Sequence, residues 1–151
     1  MSDAQIIHAG CVLVGEAGLL IRGASGSGKS MLAREVVSRA VQTGRFGRLV
    51  SDDRTRLEVR NGRLVAQPVK PLDGCIEVFG LGIVRQAHEP AAVIRLVIDL
   101  CESLARYPEE QDGRVALCGV MVPRIHMQAG AVSVDIAMAC LSGVCDTVVT
   151  L

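Results

Sequence analysis

Aromatic residues are scarce in this chain: Phe46, Phe79 and Tyr107 are the only ones among 151 residues, and tryptophan is absent. A core of stacked rings is excluded, so Val, Leu, Ile, Ala and Met must fill it. Charge of one sign is not in excess either, because 16 basic residues face 16 acidic ones. No global field draws such a chain to nucleic acid or to an anionic membrane, and neither is expected as a partner. Long apolar runs are missing. None approaches the roughly 20 residues that a membrane-spanning helix needs, and the N-terminus lacks the basic-then-apolar order of a signal peptide. The six cysteines, Cys11, Cys75, Cys101, Cys118, Cys140 and Cys145, stand singly, without a C-x-x-C pair. So spaced, they read as free thiols of a reducing compartment rather than as a disulfide framework or a metal site. These absences predict a cytoplasmic globular protein. A length of 151 residues accommodates one domain, taken as 1–151, and is too short for two ordinary ones.

What the chain does have is a glycine-rich loop. The stretch GASGSGKS, comprising Gly23, Ala24, Ser25, Gly26, Ser27, Gly28, Lys29 and Ser30, fits the pattern G-x-x-x-x-G-K-[ST]. Glycines let successive backbone N–H groups converge on phosphate oxygens. A lysine at this spacing reaches the outer phosphates, and a hydroxyl after it completes a Mg²⁺ shell. Context strengthens the pattern. An apolar strand, Leu19 to Arg22, precedes it, and SMLAREVVSRAVQTG follows with Leu32, Val36, Val37 and Ala40 at helical spacing and Gly44 as a stop.

Elsewhere strands and hairpins dominate. CVLVGEAGLLIRG predicts two strands around a turn at residues 15–18, and TRLEVRNGRLVAQPV a hairpin turning at Asn61-Gly62. AAVIRLVIDL predicts a long buried strand, residues 102–113 a polar loop, and GAVSVDIAMACLSG a strand feeding a short helix. The fold class expected is α/β, with a mixed sheet and hairpins rather than regular βαβ alternation.

A phosphate loop needs an acid to hold the metal or to activate a nucleophile. Asp52-Asp53, ending RLVSDD, and Asp99, ending VIRLVIDL, both satisfy the apolar-strand-then-acid pattern, and spacing does not choose between them. Adjacent carboxylates at a strand end diverge, so one can take a proton while the other orients a partner. A solvated acidic turn opening a hairpin is the plainer reading. His8 is a lone histidine beside an apolar strand, a setting more often structural than catalytic. Glu77, in CIEVFGLGIVR, is embedded among apolar residues beside Gly80 and Gly82. As a half-buried acid it suits a Mg²⁺ ligand, and as an outward residue of an edge strand it would do nothing.

Taken in order, IHAGCVLV, GASGSGKS, LVSDD and IEVFGLGI resemble the catalytic domain of the bacterial HPr kinase/phosphorylase family, over about residues 5 to 140. The resemblance implies a P-loop core like that of phosphoenolpyruvate carboxykinase. It also implies ATP and Mg²⁺ as cofactors, and HPr, the phosphocarrier protein of the sugar phosphotransferase system, as a substrate phosphorylated on serine. By the same resemblance His8 falls on an active-site histidine, Lys29 on the phosphate-binding lysine, and Ser30 and Glu77 on magnesium ligands. Asp53 matches the acceptor of the serine proton and Asp52 its supporting neighbour, while Asp99 becomes a core strand end. Arg106, in LARYPEE, aligns with an active-site arginine across a gap.

Departures from the family pattern are also informative. Gln128 and Ala131 stand where arginines linked to dephosphorylation would fall, which implies a weakened phosphorylase reaction. Phe79 replaces an arginine common in the family. The chain is expected to be a short form, without an N-terminal regulatory domain or the helices that build a hexamer. A homo-oligomer remains an option. Two other readings stay open at this point: a small-molecule kinase or P-loop NTPase using Asp99, and a nucleotide-binding regulatory partner that transfers nothing.

Overall fold

Alternating apolar residues build most of this molecule, and the computed structural model, which describes residues 4–70, 73–103 and 113–143, arranges them in a mixed main sheet and a small ribbon. The elements are β1 (Gln5–Ile7), β2 (Ala9–Val14), β3 (Ala17–Arg22), α1 (Lys29–Gln42), β4 (Gly47–Ser51), β5 (Thr55–Arg60), β6 (Arg63–Pro68), β7 (Cys75–Val78), β8 (Gly82–Arg85), β9 (Ala92–Cys101), β10 (Arg114–Leu117), β11 (Val120–Gln128) and α2 (Val134–Leu141). The main sheet runs β1-β5-β6-β9-β3-β2-β4, with β11 parallel to the last residues of β9 and β10 antiparallel to β11. The β7–β8 hairpin forms a separate two-stranded sheet.

Side chains alternate between two cores. On one face Val12, Leu19, Ile21, Ile98 and Leu100 pack against Leu32, Val36 and Ala40 of α1 and Ala137 of α2. On the other, Cys11, Leu20, Val50 and Val97 pack with Leu57 and Leu64 of the β5–β6 hairpin and Leu117 and Val122 of β10–β11. Burial raises the Cys11 thiol pKa well above its ordinary value, so this cysteine behaves as a small apolar residue. Among the described residues no helix is long and apolar enough to cross a membrane.

β9 changes phase on the way. Gly18 pairs with Ile94 but Leu19 with Leu96, a bulge that leaves Arg95 unpaired and outward. Ile94 therefore serves one core, and Leu96, two residues on, the other. Only a glycine fits opposite: a Cβ on Gly18 would meet Val93 O at 2.6 Å. Beyond the bulge, β3 and β9 run parallel to the same end of the sheet, where the glycine-rich loop begins.

Two expectations need correction. Ala131 to Ser133 form no strand: β11 ends at Gln128, and α2 begins after Ser133, whose hydroxyl accepts from the Ile136 N–H. Glu77 is exposed rather than half-buried. The β7–β8 ribbon packs one face on the core, through Ile76, Val78 and Val84, which turns the alternate residues outward. Gly18→Ala is expected to cost about 1–3 kcal/mol by forcing the bulge apart, read as a lower urea midpoint. An unchanged midpoint would show that the bulge relaxes freely.

Candidate active site

The ends of β3, β4 and β7 converge at one edge of the sheet. Arg22 closes β3, and the chain then turns through Gly23 to Gly28 into α1, with Gly26 and Gly28 at positive φ (79° and 104°). Gly23 is pressed against its surroundings, since a Cβ there would lie 2.6 Å from Ser27 Oγ and 3.0 Å from Leu100 Cβ. No side chain caps the first turn of α1, which also lacks an acid. Its uncapped N–H groups make this a positive end. Ser27 Oγ is buried without a hydrogen-bond partner. Buried Lys29 donates to Gly23 O (2.9 Å) and Ala24 O (3.0 Å) and lies 3.7 Å from Asp53 Oδ1. An uncapped helix end, an unpartnered hydroxyl and an ammonium folded onto loop carbonyls fit a polyphosphate.

The two acids after β4 diverge. Asp52 accepts from Ser30 Oγ through Oδ1 (2.7 Å) and from the Glu77 N–H through Oδ2 (2.8 Å). Asp53 takes a left-handed backbone (φ 64°), which Asp tolerates better than most residues. Its carboxylate then meets His8 Nε2 instead. The turn is clamped from behind. Thr55 Oγ1 donates to Ala9 O (2.7 Å), so the 2.6 Å hydrogen bond to Ser51 Oγ is donated by Ser51, and the Ala9 N–H donates to Asp53 O (3.0 Å). Asp53 and His8 remain about half-exposed, open to an incoming group.

Asp99 faces a different environment. Arg22 grips it with both Nε (2.7 Å) and Nη2 (2.8 Å), and Arg124 adds a third contact at 3.3 Å. The Asp99 carboxylate raises the Arg22 pKa above its ordinary value, against a smaller opposing effect of burial. Ser30 is bonded to Asp52, and Asp99 to its two arginines.

The arrangement thus brings together His8, Lys29, Ser30, Asp52 and Asp53, with the Glu77 backbone attached and its side chain on the outer face of β7. Arg106 lies outside the described residues. Among the described residues no cluster of three or more His, Cys, Asp or Glu side chains forms a metal cage. A magnesium ion here would rest on few protein oxygens and on substrate phosphates, the usual habit of that ion. Sequence reading missed the Asp52 contact with Ser30, the Ser51–Thr55–Ala9 clamp and the Arg22–Asp99–Arg124 group. A polar residue on each side of Asp52-Asp53, in SDDRT, was the available signal for the clamp. A cleft of about 560 Å³ opens at the opposite end of the sheet, between Arg63, Ile94, Val122 and Leu141, and contains none of these site residues.

The profile of the HPr Serine kinase C-terminal domain matches residues 1–134. The chain belongs to that family. An HPr kinase/phosphorylase from Streptococcus thermophilus is 29% identical over 139 residues, covering 84% of this chain and 43% of that protein. One from Neisseria meningitidis is 32% identical over 124 residues, covering 74% of this chain and 36% of the relative. The chain therefore spans less than half the length of these curated relatives. In three dimensions it is similar to the Hpr(Ser) kinase/phosphatase from Coxiella burnetii, with a TM-score of 0.73 at 23% identity over 92% of this chain and 88% of that one. The mixed α/β fold is thus the fold of this HPr kinase C-terminal domain family member.

Removing Asp99 takes the bidentate partner from Arg22 and one of the partners of Arg124 in a partly buried setting. Asp99→Ala is expected to cost about 1–3 kcal/mol, discounted from the fully buried case for the residual exposure of all three side chains. Urea denaturation reads this directly, and a variant as stable as the parent would show the pairing to be idle.

Proposed function

We propose that this chain is an ATP-dependent protein kinase that phosphorylates a serine of HPr, with residues 1–151 acting as one catalytic domain. The observation that carries the reading is the division of labour between adjacent acids: Asp52 engages the Ser30 hydroxyl, and Asp53 faces open solvent with His8 and Lys29 beside it. One carboxylate is committed to the phosphate loop and the other is free for the acceptor.

Under this proposal the loop from Gly23 to Ser30 cradles the ATP phosphates, with Ser27 and the first N–H groups of α1 donating to them. Lys29 leaves its carbonyl partners for a phosphate oxygen. Ser30 and Asp52, with Glu77 near by, would hold Mg²⁺, which when bound neutralises phosphate charge. Asp53 accepts the proton of the serine hydroxyl as that oxygen bonds to the γ-phosphorus and the bridging bond to ADP breaks. His8 orients the Asp53 carboxylate. Positioning and charge neutralisation provide the acceleration, as is general for phosphoryl transfer. A weakened phosphorylase reaction is expected from Gln128 and Ala131, neutral residues where the family has arginines; the Gln128 amide at the end of β11 donates to Glu102 O at 3.3 Å.

The rival use of Asp99 as the metal acid is disfavoured by its two guanidinium partners. Intact-mass measurement of HPr after incubation with the chain, ATP and Mg²⁺ is expected to show one added phosphoryl group. Lys29→Ala and Asp53→Asn should each slow that transfer by about 10²-fold or more. Folded Asp99→Asn should retain it. Transfer that survives Asp53→Asn but is lost in Asp99→Asn would reverse the assignment of the acids.

A further inference from the structure

The β7–β8 hairpin carries a feature that phosphoryl transfer leaves unused. Its register pairs Ile76 with Val84 and Glu77 with Ile83, so the ribbon has an inner and an outer face. Ile76, Val78 and Val84 pack inward on the core. Glu77, Ile83 and Arg85 look outward. At the tip the Leu81 N–H donates to Val78 O (3.0 Å), and Gly80, at φ 81°, closes the turn. This turn lifts Phe79 wholly into solvent, with Leu81 and Ile83 more than two-thirds exposed. Single apolar residues are scattered over any surface, but three large ones on one projecting edge mark a contact.

We propose that the Phe79, Leu81 and Ile83 edge is the docking surface for the protein substrate, seating on an apolar patch beside the acceptor hydroxyl. The proposal rests on the kinase reading above and names the element that selects a folded protein over a small alcohol. Continuity with the site commits it to that occupant. Ile83 lies directly across from Glu77, whose N–H holds Asp52, so a partner that delivers a hydroxyl to Asp53 lies against the same ribbon. The shape agrees, because this edge is convex, whereas a small ligand calls for a concavity. Charge adds a further feature of the partner. Arg54, next to Asp53, and Arg85, on the outer face of β8, are exposed and in no ion pair among the described residues, so the matching rim is acidic.

The test is steady-state phosphorylation of HPr by the Phe79→Ser/Leu81→Ser double variant, with ATP-analogue affinity and sedimentation measured alongside. The KM for HPr is expected to rise about tenfold or more, as for loss of apolar anchors at an interface, while nucleotide affinity and circular dichroism stay at parental values. In the otherwise unaltered chain, a photo-crosslinking phenylalanine analogue at position 79 should form an adduct with HPr. A parental KM in the double variant, where the parent chain phosphorylates HPr, overturns the docking surface and leaves the kinase intact. Failure of the parent chain to phosphorylate HPr removes the kinase reading and the docking surface with it. A dimer of the parent that the double variant dissolves assigns the edge to a second copy of this chain, and overturns the proposal as well.

Discussion

The Asp52 carboxylate is the point on which the site depends. Through one oxygen it holds the hydroxyl that opens α1, and through the other the backbone of β7. Three segments far apart in sequence, the glycine-rich loop, the end of β4 and the β7–β8 ribbon, meet on this one group. Ile76 and Val78 pack the ribbon on the core that α1 and β4 share, and the two Asp52 hydrogen bonds fix how the three segments meet at the site. The adjacent residue is available for other chemistry only because the backbone reverses hand at Asp53, and the Ser51–Thr55–Ala9 clamp holds that reversal in place.

The family relationship and the geometry bear on different questions. Matching residues 1–134 to the HPr serine kinase C-terminal domain assigns the chain to a lineage and a fold. The residues of the site carry the proposed use of that fold. β3, β4 and β9 bring the glycine-rich loop, Asp52-Asp53 and Asp99 to one end of the sheet, and the arginine pair on Asp99 separates the acid that braces the sheet from Asp53, which faces solvent.

Local signals were legible in the chain and distant pairings were not. The glycine-rich loop, the helix after it and the Asn61-Gly62 hairpin each rest on patterns a few residues long, and each is where the sequence suggested. Asp99 and Asp52-Asp53 looked alike because each follows an apolar strand. What separates them is Arg22, 77 positions from Asp99, and Arg124, 25 positions away, brought in by strand register that no short window contains. Glu77 misled for a related reason: apolar neighbours suggested burial, but its ribbon has only one covered face. The phase change at Arg95 also hides within a run that reads as one unbroken strand.

The half-exposure of Asp53 and His8 has a further consequence. On the proposed reading, solvent reaches the transfer point, and water is itself a nucleophile at far higher concentration than any acceptor protein. Exclusion of water raises the strength of every charge interaction in such a site and suppresses wasteful hydrolysis. On that same reading the acceptor completes the low-dielectric environment when it arrives. Commitment of the nucleotide is then coupled to occupancy by the acceptor, without any moving lid within the described part of the chain.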